Sequence, residues 1–576
     1  MLALEFGLDL GLRHDIGSSL ENDAQNSVVS LDQLVNSSQF TLDPSFSVSS
    51  IPTTRYYNWT VSLVNAAPVG IVKPMVVING MSPGPVIEAN SGDRIIVRVN
   101  NDMSNESTTI HWHGLYQNGT SWMDGTNAIS QCGIPPGETM TYNFTLEDWV
   151  GTTWYHAHCS TMYSDGLVGP IVVYSPNETV PSSDQDLIVQ LSDIYNTWSP
   201  TLLSGYLSNN DIEVASEPVP DAGTINGIGQ FTDCAAYADQ PCDGHGSYFN
   251  FTLAANKTYR LRLINSGSFA PIRFSVDSHV LTVIEADGTP VEPLKVSSVS
   301  LQVAQRYSVL LRTNQTADAY WMRAVLDESM FAYTNHALHG TILGVVRYDG
   351  VPNGMMPNSS LASSNPGTGT SASDLDTSRL VPADAIDAPS TASISIPWTF
   401  SIQRTWNQNW RSFINLTSWE PLGSGQATLI SATAVNASTG VQSFDGDQLI
   451  TTFEDIQVVD FVINNLDDGD HPFHLHGYKP WIMGSGVGRY IGTPLNSTNP
   501  MRRDTFLVPA FSWIVVRIIT DNPGYWAFHC HVAWHMAAGG LFQVAVQPSK
   551  LKSSTFPDDI VQQCTAALTN GITTVG

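Results

Sequence analysis

Along most of the chain, polar and apolar positions alternate in short runs that Gly, Pro, Asn and Asp interrupt. Successive strand side chains point to opposite faces, so such runs predict half-buried strands joined by turns, as in a β-sandwich. GDRIIVRVNN (92–101) and QVVDFVINN (457–465) are two of these runs, β-branched with polar ends, and a histidine cluster follows each. A second correspondence lies further on, where GTTWYHAH (151–158) resembles GYWAFHCH (524–531). A unit near 50–178 therefore recurs near 395–550. Between them, TYRLRLINSGS (258–268) and FSVDSHVLTVIEADG (274–288) continue the scaffold without histidine pairs. The expected fold is all-β, with three consecutive sandwich domains at 51–178, 179–350 and 393–576 and a C-terminal tail within the last. Residues 1–50 read as an N-terminal extension, and the Ser, Thr, Ala, Pro and Gly of 351–392 read as a linker.

The 576 residues suffice for three such domains, and 44 Gly, 33 Pro and only 13% charged residues suit β-rich units with many turns. Net charge is -28, and an anionic surface repels phosphate backbones and anionic lipid heads, which excludes nucleic acid as a partner. No apolar run is long enough for a membrane helix. The start, MLALEFGLDLGLRHDIG, is interrupted by Glu5 and Asp9 and lacks a basic leader, so it does not read as a signal peptide. Thirteen Asn-x-Ser/Thr sequons are nonetheless spread over the chain. Asn58, Asn105, Asn118, Asn143, Asn250, Asn314, Asn415 and Asn496 are glycosylation candidates, and the expectation is a secreted, extracellular, monomeric protein.

Ten of the 15 histidines fall in four short clusters: 111/113, 156/158, 471/474/476 and 529/531/535. In a strand, positions i and i+2 share a face, so four His-x-His pairs can aim eight imidazoles into one space. Imidazole suits copper, and eight converging rings could hold three ions. His471, Cys530 and His535 remain, and two imidazoles with a thiolate form the trigonal set of a blue-copper electron-transfer site. Cys530 lies between His529 and His531, so its backbone joins that set covalently to the cluster.

HWHG (111–114), WYHAH (154–158), HPFHLHG (471–477) and HCHVAWH (529–535) together resemble the four copper signatures of the multicopper oxidases. TSWMDGTNAISQCGIPPG (120–137), PMRRDT (500–505) and DNPGYWAFHCH (521–531) are similar to the ascomycete laccases and the related fungal iron-uptake ferroxidases. The resemblance spans residues 55–565 and implies three cupredoxin-like Greek-key domains, with a trinuclear copper cluster between the first and third. It implies four copper ions. The type 1 ion would take His471, Cys530 and His535, and the type 2 ion His111 and His474. One type 3 ion would take His113, His156 and His531, and its partner His158, His476 and His529. The implied activity is one-electron oxidation of phenols or aromatic amines at the type 1 site, coupled to reduction of O₂ to water. Asp124 matches the family's acidic residue near the type 2 ion and is the candidate proton relay.

Some positions depart from the family pattern. Ala533 stands where ferroxidases carry a carboxylate, which favours the ascomycete laccase branch. The axial place ten residues after Cys530 is Gly540, and Leu541 is the axial candidate if HMAAGGL holds one extra residue. A non-methionine site is expected. The domain-two carboxylate that accepts a phenol proton aligns with CDGHGSY (242–248), where His245 and Asp243 are the candidates. Asp193 aligns with a ferroxidase acid, and a carboxylate there would favour a cation such as Fe²⁺. Cys132 and Cys564 match a family disulfide, Cys234 and Cys242 could close a loop, and Cys159 is left over as a buried thiol. The ending NGITTVG is a candidate plug for the cluster channel. Three functions compete: a laccase-like oxidase, a metallo-oxidase for Fe²⁺ or Mn²⁺, and a copper-binding electron carrier without O₂ turnover. The eight cluster histidines oppose the last.

Overall fold

The computed structural model describes residues 28–208, 216–231, 233–237, 240–242, 246–358, 373–423, 425–433, 444, 446–552 and 556–569. Its strands form six sheets, paired face to face as three sandwiches. In the first, Thr54–Ala66 runs parallel to Arg94–Asn101, and Thr139–Thr145 closes that sheet antiparallel. The facing sheet runs in the order Ile87–Asn90, Val168–Tyr174, Gly151–Ala157, Ile110–Trp112. The third sandwich repeats the plan. Ile394–Arg404 runs parallel to Val458–Asn465, and the facing sheet runs Ile450–Phe453, Leu541–Val546, Gly524–Cys530, His471–Leu475, Thr505–Val508. The internal repeat of the sequence is thus a repeat of strand order and direction. The middle sandwich has a six-stranded and a five-stranded sheet.

The first and third sandwiches meet along their histidine-bearing sheets, and a buried hydrogen bond ties the second to the first and buried ion pairs tie it to the third. Glu285 accepts from the Thr152 backbone at 2.8 Å and from Arg260 at 2.6 Å. Arg306 holds Asp504 through both carboxylate oxygens at 2.6 Å, and Asp287 accepts from Arg503 at 2.7 Å. Each of these charges is buried and paired, as desolvation requires. Residues 28–50, expected as an extension, are part of the packing. Val28 pairs with Asn65, the Leu42 N–H donates to the Asp186 carbonyl, and Leu34 and Phe40 are buried.

The C-terminal helix Asp558–Thr569 returns to the first sandwich, where Cys564 is bonded to Cys132 at 2.04 Å. Cys234 and Cys242 are bonded at 2.01 Å, while Cys159 and Cys530 are free and buried. No helix among the described residues is long and apolar enough to cross a membrane. Of the glycosylation candidates all are exposed except Asn143, which is half-buried and accepts from Arg94 at 2.8 Å.

Candidate metal centres

Strand pairing sets the histidine cluster. In the first sandwich the register pairs His111 with His156, and in the third it pairs His474 with His529. Each His-x-His pair sends two rings to the same side, and the two ladders face each other. The result is a buried nest of rings, with His111 stacked on His476 at 3.9 Å and His113 on His474 at 3.8 Å. His531 lies 5.1 Å from His113 and 5.2 Å from His156, ring centre to ring centre. His158, His476 and His529 converge on one point, their Nε2 atoms 3.5 and 3.0 Å apart through His529.

Outward hydrogen bonds orient these rings. Nδ1 of His111, His156, His474 and His529 donates to the carbonyls of Asp124, Ala157, Asp504 and Cys530 at 2.7, 2.9, 2.9 and 2.9 Å. Nδ1 of His476 donates to Asp124 Oδ2 at 2.9 Å. His113 is turned the other way, its Nε2 bonded to Asp504 Oδ1 at 3.2 Å. The inward nitrogens of His111, His113, His156, His474 and His531 are buried with no hydrogen-bond partner in the protein. Burial and mutual repulsion push His113, His156, His158, His474, His476 and His531 far below the usual imidazole range, and burial brings His529 to about 4. Neutral rings with orphaned lone pairs aimed inward are the donor set that a cluster of cations requires, and carbonyl or carboxylate partners on the far nitrogen fix the tautomer and orientation of each ring. The residues therefore fit copper.

The second set lies on the far side of the same strand. Cys530 Sγ is 3.8 Å from His471 Nδ1 and 3.5 Å from His535 Nδ1, and the two nitrogens are 3.2 Å apart. Burial alone would raise the Cys530 thiol, but bonds to His471 and His535 bring it down to about 6. Burial lowers His535, and its bonds to Cys530 and Glu217 override this, raising it to about 10. A thiolate facing two imidazoles puts negative charge where a soft cation sits in trigonal N₂S geometry.

Two acids that the sequence reading did not single out close this set. Glu217 Oε1 is 3.3 Å from His535 Nε2, and Asp467 Oδ2 is 3.0 Å from His471 Nε2. Asp467 precedes His471 by four residues in DDGDHPFH, a spacing that could have flagged it; nothing in the spacing of Glu217 marks it. Asp504 is a third, carried by PMRRDT, its carboxylate on His113 and its carbonyl on His474.

Other candidates fall elsewhere. Asp193 is buried and its oxygens accept from the backbone of Ser268, Phe269 and Ala270 at 2.7, 2.8 and 2.8 Å. It fixes the loop that sets Phe269 6.2 Å from the His535 ring and cannot meet a substrate cation itself. Leu541 pairs with His529, so its side chain shares the cluster-facing side and joins Trp419 and Met536 in an apolar group separate from Cys530. Gly540 stands across from Cys530, whose N–H donates to the Gly540 carbonyl at 3.0 Å, and a Cβ there would meet the His535 carbonyl at 2.8 Å. Leu541 is thus not the axial neighbour, because strand alternation turns it away. His245, Asp243 and the tail 573–576 lie outside the described residues. Asp124 is fully buried between the two ladders, its Oδ2 taking bonds from Thr126 at 2.5 Å and His476 at 2.9 Å. Cys159 is 3.8 Å from the Ser107 hydroxyl, and burial pushes its thiol up to about 12, an inert state.

Multicopper oxidase family profiles match residues 60–178, 185–351 and 421–550, one in each sandwich. The chain is 35% identical over 554 residues to laccase-1 of Cryptococcus neoformans var. grubii, covering 92% of this chain and 86% of that protein. Among solved structures, the laccase of Botrytis aclada superposes with a TM-score of 0.78 at 29% identity, covering 91% of this chain and 93% of the other. Fet3p, a multicopper oxidase that functions in iron import, superposes with a TM-score of 0.78 at 27% identity, covering 89% and 95%. The chain belongs to the multicopper oxidase family, and copper is the cofactor its histidines serve. Within that family it is a laccase-like oxidoreductase with the three-domain cupredoxin fold.

Proposed function

We propose that the chain holds four copper ions and couples oxidation of phenols or aromatic amines to reduction of O₂ to water. The observation that carries this reading is the covalent adjacency of two donor sets: Cys530, between His471 and His535, is flanked by His529 and His531 of the cluster. His471, Cys530 and His535 would hold the type 1 ion, and His111 and His474 the type 2 ion. His113, His156 and His531 would hold one type 3 ion, and His158, His476 and His529 the other. When bound, copper would supply single-electron acceptance at the first set, and the four ions of both sets together would store the four electrons that reduction of O₂ to water takes.

The protein's own groups do the rest. Glu217 Oε1 lies 3.3 Å from the outer nitrogen of His535, where a phenol hydroxyl presented to that ring would come within reach of its carboxylate as proton acceptor. Phe269 and Phe331, stacked at 5.6 Å, give that side an apolar wall for an aromatic ring. Asp124, bonded to His476 and Thr126 and 3.4 Å from His111, would hold and pass protons at the edge of the imidazole cluster. Burial of all eight rings would exclude bulk water from the space they enclose. Sequons on exposed asparagines support a secreted glycoprotein, and the strong negative charge supports a monomer.

Copper counting with visible spectroscopy tests the ligand sets. The wild-type chain should bind four ions and show the intense absorption of a copper thiolate, and Cys530→Ser should lose the absorption and one ion. Retention of the absorption in Cys530→Ser would contradict the assignment.

A second reading, oxidation of Fe²⁺, is favoured by one observation. Both outer nitrogens of the Cys530 set bear a carboxylate, Glu217 on His535 and Asp467 on His471. Two acids beside the electron-accepting set suit a cation. Fe²⁺-dependent O₂ uptake should slow in Glu217→Gln and Asp467→Asn, and its absence from the copper-loaded wild-type chain would remove this reading.

A further inference from the structure

Lysine is scarce in this chain, six residues in 576, and five of the six sit where a lysine ordinarily does. Lys257, Lys295, Lys550 and Lys552 are exposed, and Lys73 is buried against Asp165 at 2.7 Å. Lys479 fits neither pattern. It is half-buried where the three sandwiches meet, its amine over the Trp149 ring of the first at 5.3 Å and beside Gly288 of the second. Gly288 has φ +70°, and a Cβ on it would come within 3.0 Å of the amine, so glycine leaves the notch that the amine occupies. Among the described residues the amine forms no ion pair and no hydrogen bond.

Two neighbouring cavities, of about 340 and 510 Å³, share Tyr116, Asp148, Lys479 and Trp481 as walls. The amine therefore faces space that takes a small aromatic molecule, and the exposed Glu147 and Asp148 mark where that space opens to solvent. Tyr116, Tyr478 and Trp481 offer a guest their rings, whereas Glu147, Asp148 and Asp521 disfavour an anion. Burial pulls the amine down to about 8; Asp504, Glu285 and Asp287 oppose this and Arg306 adds to it. At neutral pH about a tenth of such an amine is uncharged, against about one part in a few thousand for an ordinary lysine.

We propose that Lys479 is a nucleophile that captures small, neutral aromatic aldehydes as imines at this junction of three domains. The Nζ lone pair adds to the carbonyl carbon, and the π pair of the C=O bond moves onto oxygen. Tyr116, on the shared wall, keeps its phenol proton because burial holds it far above its ordinary range, and it donates to that oxygen. The carbonyl oxygen then leaves as water with the two hydrogens that the amine gives up, and a C=N bond remains with no change of oxidation state. The site is separate from the copper ligands and its chemistry uses no copper, so it goes beyond the oxidase reading and stands or falls apart from it.

The probe is 4-methoxybenzaldehyde, which has no phenolic hydroxyl to oxidise, with sodium cyanoborohydride to fix the imine as a secondary amine. Copper-loaded wild type is exposed briefly, and peptide mass spectrometry measures the label on each of the six lysines. At neutral pH Lys479 should be labelled about tenfold or more faster than Lys257, Lys295, Lys550 or Lys552. That ratio should shrink as pH rises toward 10, where the exposed amines also lose their protons, and unfolding in urea should abolish it. Tyr116→Phe should slow labelling of Lys479 severalfold and leave the exposed lysines unchanged, because Asn522 holds the Tyr116 carbonyl at 2.7 Å rather than its hydroxyl. Wild-type Lys479 labelled no faster than the exposed lysines would overturn the proposal whether or not the variant folds. So would a ratio that stays constant from neutral pH to 10.

Discussion

Glu217 Oε1 lies 3.3 Å from Nε2 of His535, so a carboxylate of the second domain touches the imidazole that with His471 faces Cys530 in the third. The contact joins proton and electron chemistry at one point. A phenol loses an electron readily only if its proton leaves as well, and a positioned base contributes about a hundredfold or more to such a step. Glu217→Gln should therefore lower kcat/KM for a dimethoxyphenol by about a hundredfold with copper content and thiolate absorption intact. Steady-state kinetics on the phenol check this.

Asp467 separates the two substrate classes. It bonds His471, and burial, which raises its carboxyl, is outweighed by the bond and charge of His471. Asp467→Asn should slow Fe²⁺ oxidation about tenfold or more and leave phenol oxidation within about twofold, since a charge partner matters for a cation and not for a neutral ring. Parallel oxygen-electrode assays measure both.

Asp124 predicts a split between half-reactions. Removing its charge with Asp124→Asn should leave anaerobic bleaching of the copper-thiolate absorption by phenol unchanged, while steady turnover falls about a hundredfold as proton delivery fails. Stopped-flow reduction compared with O₂ uptake checks it.

Glu285 sets an acid limit on stability. Burial opposes its charge, but Arg260, Arg262, Ser308 and the Thr152 N–H hold the carboxyl at about 2, below the ordinary 4.5. A folded-state pKa below the unfolded one contributes stability that is complete above about 4.5 and is lost as pH falls toward 2, about 3 kcal/mol in all. Glu285→Gln should lower the thermal midpoint at pH 6, and the gap to wild type should narrow by pH 3. Calorimetry at both values measures it. A gap that widens in acid would contradict the sign.

The parts legible in the sequence were those written as local spacing. Alternation and the repeated strand-histidine units announced the sandwiches, because side-chain direction in a strand has a period of two. His111, His113, His156, His158, His474, His476, His529 and His531 were found by that rule, as was Cys530 through its flanking rings. What escaped depends on loops folding across domain boundaries. Glu217 sits in a second-domain loop and meets His535 only once the second and third sandwiches pack together, so no spacing relates them. Asp193 looked like a site acid, but its three backbone donors come from 268–270, far along the chain. Leu541 was placed by counting residues from Cys530, whereas the ladder with His529 decides which way it points.

The central claim is that the Cys530 set and the histidine cluster act as one electron path. The direct test is O₂ consumption by the copper-loaded protein against the amount of phenol oxidised, with hydrogen peroxide assayed in the same vessel. One O₂ consumed for every four one-electron oxidations, with no peroxide, is the predicted result. Peroxide in proportion to the phenol oxidised, or thiolate absorption that bleaches without O₂ uptake, would contradict it.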